Sequence, residues 1–129
     1  MVILDTHYLI WDTLGHARID KAAKQFLDRQ NVLWICSISL WELGMLISKG
    51  KIVLNASIEE FLDIALQKRN YRILNINAKV SDVVRKLPQD INGDPADRII
   101  SATSILYDAT LVTADSNLIA SPALNTSWT

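Results

Sequence analysis

Hydrophobic residues along this chain fall into two alternating kinds of segment. Short runs of consecutive apolar residues, rich in β-branched side chains, are typical of strands buried on both faces. They predict strands at residues 2–5, 32–37, 71–76 and 110–115, with a further short strand near 126–128. Longer segments with helical spacing predict helices at 6–13, 19–30, 39–50, 57–70, 78–87 and 93–104. Strands that alternate with helices predict an α/β fold, in which helices cover both faces of a mostly parallel sheet.

Local signals mark the ends of two of these helices. Gly50 follows an apolar helix at the position where a left-handed glycine commonly ends one. Ser57 and Glu60 have the spacing of a capping box at the start of the next helix. The segments 39–50 and 57–70 therefore predict a helical hairpin inserted before the third strand.

Composition and charge indicate an ordinary globular chain. Half of the 129 residues are hydrophobic, the mean hydropathy is +0.16, the formal net charge is −1 and the isoelectric point is about 6.1. These values argue against disorder and give no electrostatic attraction to nucleic acid or to an anionic membrane. No signal peptide or membrane-spanning run is visible. We expect one cytoplasmic domain, residues 1–129, in which the single cysteine, Cys36, is a core residue.

Five acidic residues stand where a predicted strand ends or the following helix begins. They are Asp5, Glu42, Asp94, Asp97 and Asp115. The carboxyl ends of parallel strands share one edge of a sheet, and in open α/β sheets this edge is where ligands bind. We therefore expect the five carboxylates to share one rim of the sheet.

Each of these acids also has a purely structural explanation. The aspartates stand where aspartate caps a helix or turn, or complements a helix dipole. Ser39 and Glu42 have capping-box spacing, which would start the helix at 39–50 and place Glu42 in its first turn. Eight other acids are expected at solvated or turn positions: Asp12, Asp20, Asp28, Glu59, Asp63, Asp82, Asp90 and Asp108.

A group of close carboxylates is unstable without compensation. Two carboxylates about 4 Å apart repel by roughly 4 kcal/mol at an effective dielectric near 20. Several such pairs would rival the roughly 5–15 kcal/mol that stabilises a whole domain. The group therefore needs raised pKa values or a bound cation, and Arg98, beside Asp97, supplies one positive charge. Oxygen ligands without a His/Cys set favour Mg²⁺ or Mn²⁺ over zinc.

A hard divalent ion held by carboxylates supports phosphate chemistry. The sequence contains no GxxxxGK[ST] or GxGxxG phosphate-binding loop and no GxSxG nucleophile elbow. The residues alone leave a phosphodiesterase, a phosphatase and a receiver-like domain as alternatives. His7 lies next to the rim, where it either contacts substrate or packs, and it does not have metal-ligand spacing to His16.

Four motifs occur in the order and at the separations seen in PIN-domain proteins. They are DTHYLIW (5–11), SISLWELGMLISKGKI (37–52), GDPADRIISAT (93–103) and TLVTAD (110–115). Over nearly its whole length the chain resembles the VapC-type toxins of prokaryotic toxin–antitoxin systems. The resemblance implies a three-layer α/β/α fold with a central five-stranded parallel sheet. It also implies a metal-dependent ribonuclease that acts on RNA, binds a cognate antitoxin and forms a homodimer.

Position by position, the resemblance assigns roles to particular acids. Asp5, Glu42, Asp97 and Asp115 match the acidic quartet of the family. It implies that Asp5 and Asp97 bind Mg²⁺, or Mn²⁺, directly, that Asp115 does so directly or through water, and that Glu42 orients or deprotonates the attacking water. The products would carry a 5′-phosphate and a 3′-hydroxyl.

Three further residues are expected to support the ligands. Asp94 matches an additional acid of the subgroup, with helix capping as its first role, and Thr113 matches a small hydroxyl residue two positions before the last aspartate. Thr6, next to Asp5, is the third.

The chain departs from the subgroup at three places. Asn92 and Gly93 stand where a His-Arg pair is common, Ala96 replaces a usual phenylalanine, and Ser121 falls where a tyrosine is frequent. These changes affect substrate contacts and rim packing and leave the quartet intact.

Three alternatives to a nuclease remain. A phosphatase of the haloacid dehalogenase type would need a second aspartate at the position of His7. A receiver domain would need an acid pair before the end of the first strand and a lysine after the last strand. A PIN fold that acts mainly as a non-catalytic interaction module is compatible with an intact quartet.

Overall fold

Five strands form one parallel sheet in the computed structural model, which describes residues 1–127. The strands are β1 (Val2–Leu4), β2 (Leu33–Cys36), β3 (Tyr71–Leu74), β4 (Thr110–Val112) and β5 (Asn125–Ser127). Their order across the sheet is β3-β2-β1-β4-β5, and every neighbouring pair is parallel. The predicted α/β fold and its five-stranded sheet are confirmed. The last residue of the predicted C-terminal strand, Trp128, lies outside the described residues.

Seven helices connect and cover the strands of the described chain. They are α1 (Thr6–Leu14), α2 (Lys21–Asp28), α3 (Ile38–Ser48), α4 (Ile58–Lys68), α5 (Ala78–Val84), α6 (Pro95–Leu106) and α7 (Ser116–Ala120). Six of them correspond to predicted helices, with ends that differ by up to three residues. The exception is α7, for which the sequence pattern predicts no helix.

The sheet separates two hydrophobic cores. Along β1, Val2 and Leu4 point into one core and Ile3 points into the other. The first core is completed by α1 to α4, and its fully buried side chains include Leu9, Leu27, Leu43 and Phe61. The second core is completed by α5 to α7, with Val80, Ile100 and Leu118. Strands covered on both faces explain the uninterrupted apolar runs, and the architecture has three layers, α/β/α.

Cys36 belongs to the second core, as predicted. Its side chain is buried, and this burial raises the pKa of the thiol to about 11. The thiol is therefore protonated at neutral pH and acts as a small apolar residue.

The predicted helix signals at Gly50, Ser57 and Glu60 are present. Gly50 has a φ of +69°, and its N–H donates to the carbonyl of Ile47 at 3.0 Å, so it ends α3 in the left-handed conformation. Ser57 and Glu60 form both bonds of the capping box at the start of α4. As predicted, α3 and α4 follow one another before β3.

Asp12 was expected at a solvated or turn position, and this prediction was wrong. Its side chain is only 3% exposed on α1, and both carboxylate oxygens accept hydrogen bonds from the Arg69 guanidinium, at 2.8 and 2.9 Å. The Tyr71 hydroxyl donates to the same carboxylate at 2.5 Å, and Arg69 also pairs with Asp28 at 2.7 Å. This network attaches α1 to the end of α4 and the start of β3.

The helices of residues 1–127 are all too short or too polar to cross a bilayer.

Candidate functional site

The five acids that the sequence placed on one rim line a single cleft of about 370 Å³. The cleft lies at the carboxyl edge of the sheet and is lined by Asp5, Glu42, Asp94, Asp97 and Asp115, among others. β1 and β4 are adjacent at the centre of the sheet, and the Asp5 N–H continues their ladder by donating to the Val112 carbonyl at 3.0 Å. The order of the strands reverses between β1 and β4, and such a point commonly forms a binding crevice.

Asp5 is held rigidly at the bottom of this cleft. It is the N-cap of α1: one carboxylate oxygen accepts from the Tyr8 N–H at 3.0 Å, and the other accepts from the Thr113 hydroxyl at 2.5 Å. The residue is 8% exposed, and this burial raises the pKa of its carboxyl, an effect that the bond from Thr113 opposes. The Thr113 oxygen also accepts from the Asp115 N–H at 3.0 Å, so one hydroxyl connects two of the predicted ligands.

Asn92 connects the other pair of predicted ligands. Its side-chain amide donates to Asp97 Oδ2 at 3.0 Å and to Asp115 Oδ2 at 3.2 Å. The Asn92 carbonyl oxygen accepts from the side chain of Asn117 at 2.9 Å, which fixes the orientation of the amide. Sequence reasoning missed this role, although the departure from the family at Asn92 was the available signal.

The charge on Asp97 is poorly compensated. Burial raises the pKa of its carboxyl to about 6, and repulsion from Asp94, Glu42 and Asp115 adds to the increase, while the bond from Asn92 opposes it. The pKa of Glu42 is also raised, first by burial and then by the charges of Asp94 and Asp5, against a hydrogen bond with Thr6. These shifts are those expected when acids are gathered without a cation.

The tightest acidic group contains Glu42, Asp94 and Asp97. Each offers a carboxylate oxygen, and the three oxygens lie within 4.8 Å of one another. Asp94 is also the N-cap of α6, as predicted, because its side chain accepts from the Asp97 N–H at 3.1 Å. A set of carboxylate oxygens suits a hard divalent cation, so the residues present fit Mg²⁺ or Mn²⁺. Asp94 therefore belongs to the acidic group of the cleft and also caps α6.

The predicted start of α3 was wrong. The helix begins at Ile38 with Ser37 as N-cap, and Ser39 is fully buried and hydrogen-bonded to the Thr6 hydroxyl at 2.9 Å. Glu42 is therefore the fifth helical residue, in the second turn, and takes no part in a cap. This frees its carboxylate to line the cleft, while the buried pair of hydroxyls ties α3 to α1.

Arg98 does not offset the acids as expected. Its guanidinium donates to the Ile91 carbonyl at 3.3 Å. The cationic side chains that line the cleft are Arg18 and Lys51, and both are exposed. His7 is exposed at the cleft as well. Neither Arg18 nor Lys51 was singled out in the sequence, since each lies in a connection between helices.

Comparison with known proteins agrees with this geometry. The sequence matches the PIN domain family over residues 2–123. The chain belongs to the PIN domain family. This PIN domain is also 32% identical over 117 residues to ribonuclease VapC22 of Mycobacterium tuberculosis, in an alignment that covers 91% of this chain and 88% of that protein. The resemblance seen in the four sequence motifs is confirmed.

Solved structures share the fold of the PIN domain. It superposes with a TM-score of 0.73 on a chain of VapBC2 from Rickettsia felis bound to promoter DNA, at 23% identity over 98% of both chains. It superposes with a TM-score of 0.67 on a chain of a toxin–antitoxin complex from Klebsiella pneumoniae, at 22% identity over 96% of this chain and 95% of that one. Both comparisons confirm the three-layer α/β/α arrangement.

Proposed function

We propose that this protein is a divalent-metal-dependent endoribonuclease and the toxin of a VapBC-type toxin–antitoxin pair. The observation that carries the proposal is the meeting of five carboxylates in one cleft at the carboxyl edge of the sheet. Identity of 32% to a ribonuclease over most of both chains supports the choice of RNA as substrate. We further propose that residues 1–129 form a single PIN domain that acts in the cytoplasm.

The proposed metal site uses the acids of the cleft. Asp5, Asp97 and Asp115 hold the cation, and Asp94 and Glu42 add negative charge beside it. A bound Mg²⁺ or Mn²⁺ supplies Lewis acidity, a more acidic water and neutralisation of the phosphate charge. Thr113 and Asn92 keep the ligand carboxylates in place by donating to Asp5 and to the Asp97–Asp115 pair.

Glu42 is the proposed base. Burial raises the pKa of its carboxyl, which makes the carboxylate a better proton acceptor near neutral pH. It orients a water molecule and accepts its proton while the water oxygen attacks phosphorus. The bond from phosphorus to the 3′-oxygen breaks and that oxygen takes up a proton from solvent water, so the products carry a 3′-hydroxyl and a 5′-phosphate.

Cleavage of RNA by the purified protein tests this function. We expect cleavage with Mg²⁺ or Mn²⁺, loss of cleavage in excess chelator, and at least a hundredfold slower cleavage by Asp97→Asn, which keeps the size of the side chain and the caps of α6. Asp63→Asn, an exposed acid on α4, is the matched control and should cleave like the parent. Undiminished cleavage by Asp97→Asn, or in chelator, would contradict the proposal.

The proposed partners are a cognate antitoxin and a second copy of this chain. Exposed apolar side chains on α3, on α4 and between them supply surface that suits an interface, namely Trp41, Val53, Ile64 and Leu66.

Expression should arrest growth, and Asp97→Asn or co-expression of the antitoxin should relieve the arrest. Light scattering after gel filtration measures the homodimer. Full arrest by Asp97→Asn would favour a non-catalytic interaction module instead.

A further inference from the structure

One end of the cleft differs in chemistry from the acidic rim. His7 and Trp11 are four residues apart on α1 and so share one face of the helix, with ring centroids 5.8 Å apart. Arg18, in the connection to α2, places its guanidinium carbon 4.5 Å from the centroid of the Trp11 ring. His16 stacks near the same indole, with centroids 6.2 Å apart. The cleft therefore has an aromatic and cationic wall.

This wall continues along the helices away from the acids. Trp11 follows Asp5 by six residues, which is about 9 Å along the axis of α1. On α3, Leu46 is one turn beyond Glu42 and lines the same cleft. Lys51, three residues after the end of α3 and beyond Leu46 in the chain, also lines the cleft. The cleft thus runs from an acidic rim to an outer part that is apolar and positively charged.

A polyanion that enters this cleft needs the positive charge of the outer part to offset repulsion by the acidic rim. Phosphates of the chain on either side of the cleaved bond are repelled by the rim carboxylates, because only the reacting phosphate is close to a bound cation. Arg18 is exposed, and within residues 1–127 no carboxylate lies within ion-pair distance of it. Trp11 is half-buried against the first core, whereas the guanidinium on its ring is exposed. A cation–π contact of an exposed guanidinium is weak, so Arg18 can exchange it for a charge-assisted bond to a phosphate.

We propose that Trp11 and Arg18 form a binding subsite for one nucleotide of single-stranded RNA, with the base stacked on the Trp11 ring and a phosphate paired with Arg18. Bases stack on aromatic side chains whatever their sequence, and arginine adds charge to such platforms. The subsite rests on the proposed ribonuclease function and names how the same cleft holds its substrate beyond the reacting phosphate.

Binding measurements with a non-cleaving protein test the subsite. Glu42→Gln, which lacks the proposed base and keeps the three proposed metal ligands, is the parent, and its affinity for a short, labelled single-stranded RNA is measured by fluorescence anisotropy in Mg²⁺ over a series of salt concentrations. Added Trp11→Ala should weaken binding about tenfold without changing the salt dependence. Added Arg18→Ala should weaken binding and reduce the slope of log K against log salt by about 0.7, the value for one phosphate of a single strand.

Controls separate stacking and pairing from general effects of substitution. Trp11→Phe should retain most of the affinity, and Arg18→Lys should retain the salt slope. Tyr107→Ala and Arg85→Ala, which remove an exposed tyrosine and an exposed arginine outside the cleft, should bind like the parent. With an abasic backbone of the same length, Trp11→Ala should have no effect, because there is no base to stack.

The outcomes distinguish the subsite from the function on which it rests. Parent binding that is unchanged by Trp11→Ala and Arg18→Ala, in variants with the parent's circular dichroism, overturns the subsite alone. Equal loss on the abasic backbone in Trp11→Ala assigns Trp11 to packing and also overturns it. No RNA binding by the parent, together with no RNA cleavage by the wild-type protein, overturns both proposals.

Discussion

The surroundings of Asp97 disfavour the negative charge of its side chain. The residue lies partly buried among other carboxylates, and its pKa is raised to about 6 by that burial and by its acidic neighbours. Between pH 3.8 and about 6 the folded protein therefore binds a proton that the unfolded chain has released. Stability from this residue is greatest at low pH and falls as the pH rises through that window.

The first prediction concerns stability against pH in the absence of metal. In chelator, the melting temperature of the wild-type protein should fall between about pH 4 and pH 6.5, since the raised pKa values of Asp97, Asp5 and Glu42 act in the same direction. Asp97→Asn should melt higher than wild type at pH 7.5 and show a shallower fall. The opposite shift of Asp28 acts only at pH values below 3.8. An equal fall in wild type and Asp97→Asn would contradict the assignment.

The second prediction concerns Asn92. Its amide donates to Asp97 and lowers the pKa of that carboxyl against the larger effect of burial. Asn92→Ala should therefore raise the Asp97 pKa above about 6, which carboxyl carbon shifts in an NMR titration measure directly. The control is Asn125→Ala on the edge strand β5, where the Asn125 amide donates to the Thr110 hydroxyl of β4, and it should leave the titration unchanged. A lower Asp97 pKa in Asn92→Ala would be contrary to this role.

Among single residues, the sequence predicts the positions of the cleft acids better than it predicts the side chains that surround and bind them. Asp5 and Asp94 follow from topology because each stands where a strand ends or a helix begins. Asn92 and Arg18 lie in connections, and no hydrophobic periodicity fixes the path of a connection. The burial of Asp12 was not predicted for a related reason, because its partner Arg69 lies 57 residues away in the sequence.

Among the elements, α1 contributes most to the site. Asp5 caps its start, His7 and Trp11 face the cleft, and Asp12 is attached to Arg69 at the end of α4. The helix that supplies the proposed ligand Asp5 at one end is thereby held in place at the other.

The third prediction tests that attachment. Arg69→Ala should lower the free energy of unfolding by about 3 kcal/mol, because it leaves the buried Asp12 carboxylate without its main partner. Arg85→Ala, which breaks an exposed pair with Asp82, should cost less than about 0.5 kcal/mol. Urea denaturation of both variants measures the difference. The double variant Asp12→Asn/Arg69→Ala should be more stable than Arg69→Ala alone, since no unpaired charge remains.

The sequence interpretation was wrong at α7, which it did not predict, and at the start of α3. Helix α7 has five residues, too few to show helical periodicity, and Asp115-Ser116-Asn117 is equally typical of a turn. At α3, Ser37 and Ser39 are both suitable N-caps, and burial of Ser39 against Thr6 decides between them. The packing of Ser39 against Thr6 therefore fixes the start of α3, which the local sequence alone did not determine.

For the whole molecule, strand order is the property that creates the cleft. β1 lies between β2 and β4, so residues far apart in the chain end at one point of the edge. The parallel arrangement of the strands was predictable, because alternating strands and helices indicate a parallel sheet. The pairing of β1 with β4 was not predicted, because hydrophobic periodicity does not determine the order of strands in a sheet.

The fourth prediction is that a divalent cation stabilises the entire domain. Mg²⁺ or Mn²⁺ at a hundred times its dissociation constant should add about 2.7 kcal/mol to the free energy of unfolding, because it binds only the folded protein. Thermal unfolding with and without metal measures the increase. Asp97→Asn should lose most of it and Asp63→Asn should keep it. A metal-induced increase of the same size in Asp97→Asn would place the cation elsewhere.

Helix capping by three of the cleft acids has a consequence for the evolution of this protein. Asp5, Asp94 and Asp115 each hold the first turn of a helix, and loss of one such cap costs about 1 kcal/mol. Glu42 and Asp97 cap nothing. A lineage that abandons catalysis but still needs a folded protein can therefore discard these two acids first. Inactive mutants that still accumulate in cells should be enriched in changes at Glu42 and Asp97.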